Sequence, residues 1–259
     1  MQNSMPLTTF SQDSPAFLRP AVSVCMASHN GEKFIEAQLK SILDQLSDAD
    51  EVIVVDDASK DSTCRRVLAL CDARIRLIRH QQNAGVVRTF EEAIRLATRP
   101  FIFLADQDDV WVADKVQTVV GKFQKEPKLM LVAHDATLIE ENGKAIGPSF
   151  LALRGGFSSG LWSNLWKNRY VGCMLAFRSE LRSEILPFPH QYDILHDMWI
   201  GTRCAWIKTP VGYIDRPLTL YRRHSTTATG RKPNSRSKQL RIRMDLLAAL
   251  FGYTRTQSE

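Results

Sequence analysis

The chain has 259 residues, 44% of them hydrophobic, which gives it enough apolar material for a sizeable core and excludes disorder throughout. Its 34 basic and 28 acidic residues leave a net charge of +6, and the stretch from Gly230 onward, with 7 basic and 2 acidic residues, carries +5 of it. The body is close to neutral, so a nucleic-acid-binding face across the main domain is excluded. Cys25, Cys64, Cys71, Cys173 and Cys204 are scattered and form no C-x-x-C pair, which fits a reduced, cytoplasmic setting.

Residues 1–20 mix polar residues with prolines and have no continuous apolar core, so they read as a flexible leader rather than a signal peptide. No apolar run approaches the roughly 20 residues that a membrane helix needs. Ala21 to Ala27 form a β-type run closed by Ser28-His29-Asn30-Gly31, a polar turn whose glycine suits positive φ. Ile35, Leu39, Ile42 and Leu46, joined by Leu43, then recur at helical spacing opposite Glu32, Lys33, Glu36 and Lys40, the pattern of an amphipathic crossover helix. Glu51-Val52-Ile53-Val54-Val55-Asp56-Asp57 is an almost unbroken aliphatic strand of the kind buried on both faces of a parallel sheet, and it ends in carboxylates. A turn and cap over Ser59 to Ser62 lead to a short helix with Val67, Leu68 and Cys71, and Ile75 to Ile78 supply a third strand. After Asn83-Ala84-Gly85 the spacing predicts a helix with Val86, Val87, Phe90, Ile94 and Ala97 inward and Arg88, Glu91, Glu92 and Arg95 outward, ended by Pro100.

The next strand, Phe101 to Ala105, stops at Asp106-Gln107-Asp108-Asp109, three carboxylates within four residues. Groups packed this closely repel one another, and a divalent cation relieves the repulsion. Hard oxygen ligands suit Mg²⁺ or Mn²⁺, and Mg²⁺ usually completes its shell with substrate phosphates and water. The alternative is a solvated acidic turn capping the helix that starts near Asp114. That helix has Val116, Val119, Val120 and Phe123 on its face, and Met130 to Ala133 form a further strand. Strands alternating with helices and ending in polar or acidic residues predict a doubly wound α/β sheet whose ligands bind at the strand C-termini. Neither a G-x-G-x-x-G after the first strand nor a G-x-x-x-x-G-K-[ST] occurs, which removes the two common phosphate loops.

Gly143 to Gly160, rich in glycine and serine, is expected to be a mobile loop over the site. Trp162 and Trp166 are either core residues or stacking platforms for sugar rings. Gly172 to Phe177 reads as a strand, and His196-Asp197-Met198-Trp199 opens a helix. Asp197 is there as a cap, or as a carboxylate held ionised by the helix dipole to accept a proton. Leu218 to Arg223 alternate like a strand and deliver His224, which gains a ligand role only where the fold brings it to the acidic cluster.

Together these residues resemble the inverting glycosyltransferases of family 2, with the GT-A fold, and within them a rhamnosyltransferase-like bacterial group. The resemblance runs from about Ala21 to Gly230. It rests on Ser28-His29-Asn30-Gly31, Val55-Asp56-Asp57-Ala58-Ser59, Asn83-Ala84-Gly85, Asp106-Gln107-Asp108-Asp109-Val110-Trp111 with Lys115, His196-Asp197-Met198-Trp199, and Tyr221-Arg222-Arg223-His224. The first motif has Ser-His-Asn where Thr-Tyr-Asn is usual. The resemblance implies a mostly parallel GT-A sheet flanked by helices over residues 21–230, with a helical extension over residues 231–259. It implies Mn²⁺ or Mg²⁺ on Asp108 and Asp106 of a DxD motif, with His224 closing on the metal or diphosphate. Ser28, Asn30, Asp56, Asp57, Asn83, Arg88 and Asp106 are the nucleotide-sugar-binding candidates, and Asp197 matches the catalytic base. The donor implied is dTDP-rhamnose or a UDP-hexose, and the acceptor a hydroxyl of a cell-surface glycan or lipid-linked oligosaccharide. A non-catalytic nucleotide-sugar-binding or assembly protein on the same fold is the alternative, since fold alone does not establish activity.

In the tail, Arg231 to Arg243 contain six basic residues, and Leu240, Met244, Leu247 and Phe251 share a helical face beside Ile242, Leu246 and Leu250. A basic amphipathic helix of this kind either lies on an anionic membrane surface, here the cytoplasmic face of the inner membrane, or docks on the domain or on a second subunit as a homodimer contact. Nucleic acid is not an expected partner.

Overall fold

The computed structural model describes residues 19–147, 149–223 and 235–256. Residues 1–18 of the expected leader, and His224 with the ten residues after it, lie outside the described residues. In chain order the elements are β1 (Val22–Ser28), α1 (Ile35–Leu43), β2 (Glu51–Asp56), α2 (Thr63–Ala69), β3 (Ile75–Arg79), α3 (Val86–Leu96), β4 (Phe101–Asp106) and β5 (Val110–Trp111). They continue with α4 (Lys115–Lys125), β6 (Leu131–Glu140), β7 (Ala145–Gly147), α5 (Leu161–Trp166), β8 (Leu175–Arg178), α6 (Arg182–Ile185), α7 (His196–Trp206), β9 (Val211–Arg223) and α8 (Arg236–Thr256).

The strands form one sheet in the order β3-β2-β1-β4-β8-β6-β9-β5, with β7 paired to β6. β3, β2, β1 and β4 are mutually parallel, whereas β8 runs antiparallel between β4 and β6. Strand alternation divides the core in two. Cys25, Ile53, Val55, Ile102 and Leu104 face one way and pack with Phe90, Ala93 and Ile94 of α3 and Trp199 and Ile200 of α7. Val24, Met26, Val52, Val54 and Phe103 face the other way, against Ile35, Leu39 and Ile42 of α1 and Val116, Val119 and Phe123 of α4. The sheet is thus covered on both faces, which is why its central strands read as continuous apolar runs. β1, β2 and β4 lie side by side and end together, so the polar residues that stop each strand share one edge.

Several local expectations are corrected. Gly31 keeps negative φ and the positive value falls on Asn30, at 49°, a residue that tolerates the left-handed region. Gly31 is needed for space: a Cβ there would meet Gln107 Oε1 at 2.1 Å. Glu91, read as outward, is buried, and accepts from Phe188 N (2.7 Å), His190 Nε2 (2.8 Å) and Arg95 Nη2 (2.7 Å), tying α3 to the loop before α7. Val86, read as inward, is 37% exposed at the start of α3. The stretch expected to form a mobile loop is anchored, because the buried Asp135 takes the Leu151 N–H (3.0 Å) and the Ser149 hydroxyl, while Phe150 and Leu151 are buried. The first half of the strand expected over 172–177 is a 3-10 turn, Gly172–Met174.

α8 packs on the domain through Leu246, Ala249 and Leu250, whereas Leu240, Met244 and Phe251 on its other face are more than half exposed. No helix among the described residues is long and apolar enough to cross a membrane.

Candidate functional site

A cavity of about 740 Å³ lies at the carboxyl ends of β1, β2 and β4. Ser28, Asn30, Asp57, Asn83, Asp106 and Asp108 line it. Its walls are held by contacts between the turns that follow these strands. The Gln107 amide clamps His29, accepting its N–H at 2.9 Å and donating to its carbonyl at 3.0 Å, and Gln38 Nε2 donates to the Asp106 carbonyl at 2.8 Å. Asn30 donates its N–H to Ser59 Oγ (2.8 Å) and accepts the Lys60 N–H on its side chain (2.9 Å). The turn after β1 is thereby fixed to the turn after β2.

Asp57 has both carboxylate oxygens bonded. Its Oδ1 accepts from Ala84 N (2.7 Å) and His80 Nδ1 (2.8 Å), and its Oδ2 accepts from Gly85 N (2.9 Å). Burial pushes this carboxyl up, but the two N–H groups and His80 outweigh it and hold the pKa below the usual value. His80 is gripped on its other side by Glu92 Oε2 at 2.7 Å. Burial disfavours its cation, yet the two carboxylates outweigh that cost and raise its pKa above 6.5.

Two residues named from sequence stand elsewhere. Asp56 is fully buried and does not line the cavity; it accepts Ser28 Oγ (3.1 Å), Ser59 N (2.9 Å) and Ser59 Oγ (2.5 Å), so its carboxylate braces the turns from beneath. Arg88 is exposed and off the cavity wall, because α3 presents Thr89 and Phe90 there and the preceding residue points about 100° away.

The acidic turn after β4 has a different character. Burial, then the neighbouring charges of Asp108 and Asp197, push the Asp106 carboxyl up to about 7. Asp109 turns inward: Oδ1 accepts the Arg222 N–H at 2.9 Å, and Oδ2 is buried with no protein partner. Ligand atoms of Asp106, Asp109 and Cys173 lie within 4.8 Å of one another, a spacing compatible with one metal ion. Burial, with the neighbouring charges of Asp109 and Asp106, keeps the Cys173 thiol protonated. The donor set open to a cation is therefore hard oxygen, with Asp106 and Asp108 facing the cavity, and it fits Mg²⁺ or Mn²⁺. Sequence reasoning passed over the inward role of Asp109 and the proximity of Cys173; only the run of three acids signalled the first, and nothing local signalled the second.

Two basic side chains support this turn. Lys115, fully buried, donates to the Cys173 carbonyl (2.8 Å) and Thr219 Oγ1 (2.9 Å) with its ammonium 4.1 Å from the Trp111 ring centroid. Arg222 donates from Nε to the Asp108 carbonyl (2.7 Å) and from Nη1 to the Glu141 carbonyl (2.8 Å), locking the turn to the β6–β7 hairpin.

Asp197 enters from α7. Its carboxylate accepts the Met198 N–H at 2.6 Å and the Gly172 N–H, and its neighbour His196 stacks on the cavity-lining Phe90 with centroids 4.1 Å apart. Burial raises its pKa to about 6, with those two N–H groups and Arg154 drawing it back down. An acid near 6 is largely ionised at neutral pH and still basic enough to take a proton, the property of a general base. Gly172 is required for this geometry: a Cβ there would meet His196 Nε2 at 2.6 Å.

A doubly wound sheet with this acidic edge matches the GT-A fold of solved glycosyltransferase structures. The chain belongs to glycosyl transferase family 2, whose model matches residues 23–186. It is similar to the UDP-Glc:alpha-D-GlcNAc-diphosphoundecaprenol beta-1,3-glucosyltransferase WfgD of Escherichia coli, 29% identical over 185 residues, or 70% of this chain and 68% of WfgD. Among solved structures it is similar to Staphylococcus aureus TarS 1-349 in complex with UDP-GlcNAc, with a TM-score of 0.69 at 16% identity over 86% of this chain and 64% of that one. The mannosyltransferase PcManGT of Pyrobaculum calidifontis, in complex with GDP-Man and Mn²⁺, superposes with a TM-score of 0.59 at 19% identity over 90% of this chain and 70% of that one. The chain therefore spans slightly less than two thirds of the TarS fragment.

Proposed function

We propose that this glycosyltransferase moves a sugar from a nucleotide-diphosphate donor to an acceptor hydroxyl of a cell-surface glycan or lipid-linked oligosaccharide, with inversion at the anomeric carbon. The donor is a UDP-hexose or dTDP-rhamnose, and the former has the support of the UDP ligands named for WfgD and TarS. Residues 21–230 form the catalytic domain and residues 231–259 its basic extension.

The observation that carries this reading is the pairing of Asp106 and Asp108 at the cavity with Asp197 close enough to Asp106 for their charges to interact. Ser28, Asn30, Asp57 and Asn83 hold the nucleoside end of the donor. Asp106 and Asp108 hold Mn²⁺ or Mg²⁺, and the Mn²⁺ in the PcManGT complex supports that assignment. The bound cation supplies neutralisation of the charge that develops on the departing diphosphate. Asp197 takes the proton of the acceptor hydroxyl as its oxygen joins the anomeric carbon, and the nucleotide diphosphate leaves from the opposite face. With one base and no nucleophile of the chain required, the reaction is a single displacement. Exposed Leu240, Met244 and Phe251 beside Arg236, Lys238 and Arg241 support contact of α8 with an anionic membrane surface, where a lipid-linked acceptor resides.

A thermal-shift screen of nucleoside diphosphates and sugar nucleotides with and without Mn²⁺ tests the donor half. Ligand binding to the folded state raises the melting temperature by mass action. The reading expects a Mn²⁺-dependent rise with uridine or deoxythymidine diphosphates, and equal rises with and without metal would refute the metal assignment.

A further inference from the structure

A second cavity, of about 500 Å³, lies between α5 and α8. Met198, next in sequence to Asp197, lines it, and so do Arg154, Lys167, Arg243, Asn168 and Trp166; no carboxylate is among its lining residues. The cations are held by backbone carbonyls. Lys167 Nζ donates to the Arg154 carbonyl at 2.9 Å, and Arg243 donates to the carbonyls of Leu165 and Trp166, each at 3.0 Å, with its guanidinium 4.5 Å from the Trp166 ring centroid. Arg154 packs over the Phe150 ring at 4.5 Å and reaches the Asn168 carbonyl at only 3.5 Å.

Those bonds use a fraction of the donors that two guanidiniums and an ammonium carry. Arg154 is half-buried, and Arg169 and Arg223 are close enough to repel its charge, while Asp197 attracts it. Three basic side chains around one cavity with no lining carboxylate suit an anion with several acceptor oxygens, which would take up their spare N–H groups. The Trp166 ring, 76% exposed, adds an apolar wall at the same cavity.

We propose that this cavity is the phosphate subsite of the acceptor: it takes a sugar joined to a phosphate or diphosphate, with Arg154 between that phosphate and Asp197. The assignment rests on Asp197 being the base, as proposed above, and adds the acceptor's chemical class. The sugar hydroxyl lies at Asp197, the phosphate at Arg154 with Lys167 and Arg243 beyond it, and any alkyl chain runs along Trp166. An uncharged glycan would bring no counter-charge to the three basic residues that line the cavity.

The test uses the full chain with Mn²⁺ and saturating UDP, so that the donor cavity is filled. Binding is titrated with N-acetylglucosamine 1-phosphate, with N-acetylglucosamine joined to octanol through a diphosphate, and with octyl N-acetylglucosaminide, which has no phosphate. Both phosphorylated probes are expected to bind about tenfold or more tighter than the glycoside, the size of one charge-assisted hydrogen bond. Arg154→Gln is expected to abolish that preference and the exposed Lys167→Ala to reduce it about threefold, with UDP affinity and melting temperature unchanged. Tighter binding of the octyl diphosphate than of the simple sugar phosphate assigns the site to lipid-linked acceptors; equal binding assigns it to soluble sugar phosphates. A glycoside bound as tightly as its phosphorylated counterparts, or a preference that survives both substitutions, overturns the proposal. Failure of wild-type protein to bind UDP refutes the donor reading instead, and the phosphate preference is then read in its absence. Should Arg154→Gln not fold, Lys167→Ala carries the comparison.

Discussion

Two carboxylates at the same sheet edge, Asp57 after β2 and Asp106 at the end of β4, stand in opposite electrostatic states although their strands both neighbour β1. Asp57 accepts three hydrogen bonds and is held ionised below its usual pKa. Asp106, half-buried and close to the charges of Asp108 and Asp197, is pushed up to about 7, and Asp197 to about 6. Burial acts in the same direction on all of them. What differs is the supply of donors: N–H groups from the start of α3 converge on Asp57, whereas at β4 like charges converge. The first arrangement makes a rigid wall that needs no ligand. The second leaves charge for a cation, a phosphate or a proton to complete, and the chemistry is assigned there.

That contrast can be broken at either end. The largest effect belongs to Asp197→Asn, which should lower transfer by roughly 10²–10⁴-fold while donor affinity stays at the wild-type value. Wild-type rate should fall as pH drops through about 6, where the raised Asp197 takes up its proton, and the variant should lose that limb. A variant turning over near the wild-type rate would remove Asp197 from the base role. Asp106→Asn should weaken donor binding in Mn²⁺ on the order of 10²-fold, down to the level measured with chelator, because a metal contact contributes several kcal/mol. Retained metal dependence in that variant would move the ligand elsewhere.

Gly172→Ala places a Cβ 2.6 Å from His196 Nε2, so the imidazole or the backbone must shift and the N–H on Asp197 shifts with it. A loss of turnover of about tenfold is expected, with donor affinity intact, since small misplacements of a catalytic group are costly. Unchanged turnover would show that the Gly172 N–H does not position Asp197.

The smallest effect is thermal. His80, its pKa raised by Asp57 and Glu92 against the cost of burial, contributes stability in full below its ordinary value of 6.5 and loses it as pH rises through the higher folded value. His80→Gln should therefore lower the melting temperature more at pH 5.5 than at pH 9. An equal loss at both pH values would mean that His80 is held neutral.

The donor side of this edge was legible because its residues are local. Apolar runs stop at Ser28, Asp57 and Asp106, and parallel pairing brings the stops together without further information. Asp56 and Arg88, in the same motifs, lie off the cavity wall, because sequence proximity does not tell which neighbour faces the cavity and which braces or leaves it. Gly172, Asp197 and Arg154 lie far apart in sequence, and of these only Asp197 was marked, by its place at a helix start and by the resemblance. Cys173 and Arg154 carried no local signal. Gly172 to Phe177 reads as a strand, but its antiparallel direction and its start only at Leu175 carried no local signal: Gly172–Met174 turns so that the Gly172 N–H meets Asp197 and the Cys173 carbonyl meets Lys115.

The central claim is a single displacement with Asp197 as its base, and proton NMR of the anomeric signal during turnover, with the donor found by the thermal-shift screen, tests it most directly. The account predicts a product whose anomeric configuration is opposite to that of the donor from the first turnover. A product that retains the donor configuration would contradict a single back-side displacement and the role given to Asp197.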